Sequence, residues 1–260
     1  MLRHLGSKRT HTHNVRLASL LAMTAGFVNA AGFLAFATLT TNVTGHAALF
    51  AERISLQDWT GMRVIALWML LFLAGAFVSS FIVARIGKNQ RFSYVIPIII
   101  EVGILLVVSL EGHRYDNSLL SKEMFAGSLL FAMGLQNALV SMISGSVVRT
   151  THLTGTFTDL GIELAQLFDK AGKNLPALLS KIKLRTAVIF FFMAGALAGA
   201  YLFRYAHFPA FFVPAALLLY VLLYDVFRIR FRRIYRLWRT IKTDKGAAKL
   251  GVKVRSNGGL

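Results

Sequence analysis

The chain has 260 residues, 56% hydrophobic and only 15% charged, with a mean hydropathy of +0.60. A soluble domain carries about 25% charged residues, so this composition excludes a water-soluble fold and predicts a bilayer protein. Lys and Arg number 29 against 11 Asp and Glu, and they gather in the N-terminal tail, two internal connections and the C-terminus, which makes the +18 charge a signal of orientation before a signal of ligand. The absence of Cys removes disulfides, thiolate metal sites and thiol catalysis together.

Residues 1–16 form a basic tail, expected in the cytoplasm and continuing into an uncleaved first helix. The apolar run from Leu17 to Ala51 would be roughly 52 Å long as one helix, against a hydrocarbon core of about 30 Å. It is too long for one span and too short for two. One full helix, a break at Thr40 to Gly45 and a half-helix is the economical reading. A second copy follows: Met124 to Val148 is read as a span, Thr150 to Gly155 as its break, and a helical run reaches Phe168. The two copies share a skeleton, Gly26-Phe-Val-Asn29-Ala30 with Thr40-Thr-Asn-Val-Thr-Gly45, and Gly134-Leu-Gln-Asn137-Ala138 with Thr150-Thr-His-Leu-Thr-Gly155. An internal repeat of this kind fixes architecture before chemistry.

The halves continue to match. Arg63 to Arg85 contains Leu73-Ala-Gly75-Ala76, and Thr186 to Phe203 contains Met193-Ala-Gly195-Ala196. Each half closes on a Pro-containing span, Tyr94 to Leu110 and Phe208 to Val226. The fold expected is an all-α membrane protein of six transmembrane helices in two three-helix repeats with broken half-helix segments, at 17–111 and 124–226. Three is odd, so the repeats are inverted in the membrane. The basic connections, Arg85 to Arg91 and Gly155 to Arg185, fall on the side of both termini, while those holding Glu52 to Asp58 and Glu111 to Asp116 fall opposite. Both termini are therefore expected in the cytoplasm.

The paired G-x-x-N-A and T-x-x-T-G motifs, above all Ala132 to Ala138 with Thr150 to Thr156, resemble those of the YoaK-like family of bacterial integral membrane proteins. The resemblance covers roughly Leu17 to Asp225 and implies a six-pass protein of the bacterial inner membrane, of undetermined activity. Asn29 stands where that family usually has an acidic residue, and His46 where it has Asn.

The candidate solute-binding residues lie at the two breaks and in the spans before them: Asn29, Asn42, Thr44, Gly45 and His46 in the first half, and Gln136, Asn137, Thr151, His152, Thr154, Gly155 and Asp159 in the second. An unwound segment inside a membrane leaves backbone groups free and starts a half-helix whose positive end can face a solute. The competing reading is a surface turn, and depth decides between them. Thr156 and Asp159 fit a capping-box variant at the second half-helix. In-span amides are also read as interhelical packing, worth about 0.6 to 2 kcal/mol per contact. Glu101, deep in a span, is expected protonated, paired or facing water, with proton or ion coupling as its candidate role. The small residues Ala22, Gly26 and Ala30, Gly75 and Ser79, and Gly195 and Gly199 recur every fourth position. They predict close helix contacts, with the first span of each half in the bundle core.

Residues 227–243 have the spacing of an amphipathic interfacial helix, with Trp238 inward and Arg228, Arg232, Arg233, Arg236 and Arg239 toward anionic lipid headgroups at the cytoplasmic face. Residues 244–260 read as a disordered tail. No nucleic-acid module, metal-ligand cluster, cofactor motif or nucleophile with its base is present, so neither an enzyme nor a cofactor is expected. The lipid bilayer is the expected partner, and a homo-oligomer is compatible with the chain. Two functions remain open: a transporter or channel for a small polar or anionic solute at the repeat interface, or a scaffold or sensor acting through the basic C-terminal helix.

Overall fold

A computed structural model describes residues 11–87, 93–144, 152–168 and 174–224, and all regular structure among them is helical. The helices are α1 (His11–Phe36), α2 (Val43–Ser55), α3 (Trp59–Ile86), α4 (Val95–Glu111), α5 (Leu119–Ser144), α6 (Leu153–Phe168), α7 (Leu175–Ala206) and α8 over 212–224. Short 3-10 turns, Gly112–Arg114 and Phe208–Phe211, follow α4 and precede α8. Residues to Leu222 form one compact unit, and of the second, Leu223–Leu260, only 223–224 are described. The expected interfacial helix and tail lie outside the described residues.

Helix limits follow local chemistry. α1 stops where Ala37 enters the left-handed region at φ 52°, its N–H closing on Phe33 O at 2.8 Å, and α7 stops in the same way at His207. Asn42, Asp58 and Asn174 cap α2, α3 and α7, each accepting a hydrogen bond from the backbone N–H three residues on. A lowered Asp58 pKa follows from the hydrogen bond its carboxylate accepts from Gly61 N–H. The Asn174 cap and a Pro in the first turn start α7 well before Thr186, so Lys181, Lys183 and Arg185 belong to this helix and not to a connection.

Five helices are long and apolar enough to cross a membrane: Val15–Phe36, Trp59–Ile86, Val95–Arg114, Leu119–Met142 and Leu175–Ala206. The sixth expected span is a shorter apolar helix, Phe208–Tyr224, within the described residues. Its Pro-containing first turn is 3-10, which takes residues from the α-helical length. The large apolar side chains left exposed on α3 and α7, Leu70, Leu73 and Phe77, and Phe190, Met193 and Leu197, need a hydrocarbon solvent.

Packing repeats the duplication. α1 runs along α7, and α5 along α3. A Cβ on Gly26 would collide with the Phe192 carbonyl, and one on Gly195 with that of Met23. In the second crossing Gly134 meets Phe72 and Gly75 meets Phe131 in the same way, so four glycines bring two pairs of backbones into direct contact. The expected core placement is observed: 67% and 61% of the most apolar windows of α1 and α5 are buried, against 22% and 28% for α3 and α7.

Candidate functional site: a cavity between two broken helices

α1 is followed by a non-helical segment, residues 37–42, and Thr44 and Gly45, expected within the break, already lie in the first turn of α2. Thr154 and Gly155 lie likewise in the first turn of α6. The first break is drawn back into the bundle. Asn29 Oδ1 accepts a hydrogen bond from Thr41 N–H at 3.1 Å. Asn29 precedes the end of α1 by two helical turns, which places the break about 10 Å inside that end.

Between the first break and the start of α6 lies a cavity of ≈ 510 Å³. Asn29 and Asn137 line it from equivalent positions of α1 and α5, and Phe72 and Phe192 from equivalent positions of α3 and α7. Asn42, Val43 and Thr44 at the start of α2 correspond to His152, Leu153 and Thr154 at the start of α6. Leu39, Thr41 and Ser141 complete the wall. Asn42, Thr44, His152 and Thr154 are all exposed, so the cavity opens at these first turns. None of its described lining residues is Asp, Glu, Lys or Arg.

The two half-helix starts have the same local structure. From Asn42 to Ala48 and from His152 to Thr158 the order of exposed, half-buried and buried positions is identical, with a single buried residue, His46 or Thr156. Each of these bonds the backbone oxygen four residues earlier: His46 Nδ1–H donates to Asn42 O at 2.9 Å, and Thr156 Oγ1–H to His152 O at 2.9 Å. Thr156 therefore sits inside the first turn and is not the start of a capping box.

Several expected site residues lie away from the cavity. His46 is buried and packs edge-on against Trp68, with ring centroids 5.8 Å apart, fastening α2 to α3. Gln136 Nε2 donates to Leu21 O at 2.8 Å, a buried link from α5 to α1. Gly45 has its N–H satisfied by Asn42 Oδ1, and Gly155 lies against the His152 ring. Asp159 accepts Arg185 Nη1 at 2.9 Å, while Arg185 Nε donates to Glu163 Oε1 at 2.9 Å, so an ion cluster fastens α6 to α7. Thr151 lies outside the described residues. Glu101 is 1% exposed on α4, outside the cavity, and neither of its oxygens has a partner among the described residues. No three metal-ligating side chains cluster among the described residues.

Phe72, Phe192, Leu39, Thr41, Val43, Ser141 and Leu153 are lining residues that the sequence reading did not single out. The two Phe carried a legible signal, each standing three residues before a duplicated glycine, in Phe72-Leu-Ala-Gly75 and Phe192-Met-Ala-Gly195. Ser141 carried none, because the first half has Phe33 at the equivalent position.

Long apolar helices, exposed apolar faces and paired glycine crossings define a multi-pass helical membrane protein, here with a polar cavity where its repeated motifs meet. The chain belongs to the DUF1275 family of proteins of unknown function, which it matches over residues 17–224. No curated protein and no solved structure matches it.

Proposed function

We propose that this protein is a transporter or channel for a small polar or anionic solute, which it holds in the cavity between its two broken helices. One observation carries the reading: equivalent residues of both motif copies, Asn29 with Asn137, Phe72 with Phe192 and Asn42 to Thr44 with His152 to Thr154, border the same space. Non-helical backbone drawn back to the depth of Asn29 survives in a membrane when it is buried or lines a cavity. The first turns of α2 and α6 both reach that cavity, so their positive ends favour electronegative groups. In this reading the halves are inverted repeats, both termini are cytoplasmic and the membrane is the bacterial plasma membrane. Asn29, Asn42, Thr44, Asn137, His152 and Thr154 contact the solute. Glu101, a buried carboxyl with no partner among the described residues, carries the coupling proton.

Native absence of Cys allows a direct test. Single Cys substitutions at Thr44 and Thr154 are exposed to a membrane-impermeant thiol reagent in intact cells and in inverted vesicles, with Asp58→Cys as the surface reference. Labelling slower than at position 58 and dependent on side supports a solute path. Labelling as fast as at position 58 at both sites, or at neither, overturns it in favour of a scaffold or sensor acting through the C-terminal arginines.

A further inference from the structure

The chemistry of the cavity wall narrows the solute. Three asparagines line the cavity, and each has its carbonyl oxygen turned away from solvent or already engaged. Asn29 Oδ1 accepts Thr41 N–H at 3.1 Å, and Asn42 Oδ1 accepts Gly45 N–H at 2.9 Å. A backbone N–H can only donate, so these two bonds fix the amide orientation and leave Nδ2 of both residues without a partner among the described residues. Asn137 Oδ1 is buried with no partner among the described residues, so Nδ2 is the end of that amide turned towards the cavity. The wall therefore offers amide N–H donors from both halves, with hydroxyls from Thr41, Thr44 and Thr154, and no carboxylate among its described residues.

A cation finds no carboxylate among the described lining residues and amide oxygens that are spent or hidden, which leaves it only hydroxyl and imidazole acceptors. A dianion meets the opposite difficulty. Its desolvation scales with the square of charge, about four times that of a monoanion, and no Lys or Arg among the described lining residues offsets it. A single negative charge is what neutral N–H and O–H donors can satisfy.

We infer that the cavity is a binding site for a small monovalent anion, held by the Nδ2 groups of Asn29 and Asn137, and that it rejects cations and dianions. The inference rests on the solute-path reading above, and its own test is binding, which needs no transport. Asn29→Asp is the informative variant: the carboxylate still accepts Thr41 N–H and keeps the break in place, while the donor facing the cavity becomes a negative oxygen. Asn137→Asp makes the same exchange in the second half.

The test uses the full chain in detergent, carrying Ser141→Cys as a reporter in the cavity wall. The rate of Cys modification by a neutral maleimide is followed in sodium nitrate, sodium formate or sodium sulfate at matched ionic strength. Nitrate and formate are expected to slow labelling and sulfate to leave it unchanged. Asn29→Asp and Asn137→Asp are each expected to raise the half-protecting nitrate concentration at least about tenfold, the ratio given by one lost charge-assisted hydrogen bond of roughly 1.4 kcal/mol. Equal protection by sulfate, protection that survives both Asp variants, absence of protection by either monoanion, or a reporter that never labels would each overturn the inference. Nitrate flux in proteoliposomes separates the two claims. Protection without flux retains the anion site and removes transport, whereas flux indifferent to both Asp variants retains transport and removes the anion site.

Discussion

The half-helices α2 and α6 start in the same way and are fastened in different ways. Both begin at the cavity, both bury their fourth residue, and both return a side-chain hydrogen bond to the residue before the helix. Beyond that turn the likeness ends. α2 is held to α3 by the edge-on packing of His46 against Trp68, whereas α6 is held to α7 by Arg185 bridging Asp159 and Glu163. The residues that correspond to His46 and Trp68 in the second half are Thr156 and Val188, and those that correspond to Asp159, Glu163 and Arg185 in the first are Leu49, Arg53 and Ile65. Backbone contact and cavity geometry are thus common to both halves, while the side-chain attachment is free to differ. An attachment needs only to hold a half-helix in place, and ring packing or charge serves equally, but a glycine crossing has no substitute of another size.

The largest effect should therefore come from the shared feature. Gly26→Leu and Gly134→Leu, which force a side chain into an opposing carbonyl, should each abolish the folded monodisperse species in fluorescence-detected size exclusion. Their Ala counterparts should each cost about 1 to 3 kcal/mol, and should do so equally in both halves. A marked inequality in melting temperature between the two Ala variants would break the symmetry of the crossings.

Next in size is the attachment that the halves do not share. Arg185→Met leaves Glu163, only 6% exposed, without its cation, at roughly 3 kcal/mol. Hydrogen exchange should quicken in α6 and stay unchanged in α2, and adding Glu163→Gln should restore most of the protection. Equal loosening of both half-helices would show that the attachments are coupled.

The helix starts sharpen the comparison further. Asn42→Ala removes a real cap and should cost about 1 kcal/mol, read as faster exchange in the first turn of α2. His152 stands at the corresponding position with no side-chain cap bond among the described residues, so His152→Ala should leave exchange in α6 nearly unchanged.

The smallest effect concerns Asp58 at the start of α3. Its folded pKa lies below the usual aspartate value because the carboxylate accepts Gly61 N–H, so its stabilising contribution is present above the unfolded pKa and is lost as pH falls through the folded one. Asp58→Asn, which keeps an acceptor and removes the titration, should flatten the acid limb of melting temperature against pH. An unchanged acid limb would remove Asp58 from that dependence.

Much of this arrangement was legible in the residues. The T-G repeats located both half-helices, and the four-residue spacing of small residues marked α1, α3 and α7 as contact helices, because a small residue at a helix contact leaves no other trace than its size. The break depth was not legible, since it depends on one hydrogen bond between Asn29 and Thr41. His46, Gln136 and Asp159 were polar residues in suggestive positions, and all three turned out to hold helices together. A polar side chain near a cavity has neighbours on every side, and the sequence does not say which way it points. The short sixth helix was overestimated because apolar content was counted through a Pro-containing turn.

The exchanged pairing of helices also bears on how the chain is made. α5 packs on α3, from which only α4 separates it along the chain. α1 packs on α7, which begins at Leu175, some 140 residues after α1 is complete. At ribosomal rates that interval is on the order of 10 s, during which Gly26 lacks the Phe192 backbone it packs against. Two helices equivalent in the finished protein thus have very different histories, and α1 needs shelter from lipid or from an insertase until α7 arrives. Chains that end before Leu175 should accordingly be cleared by membrane proteases.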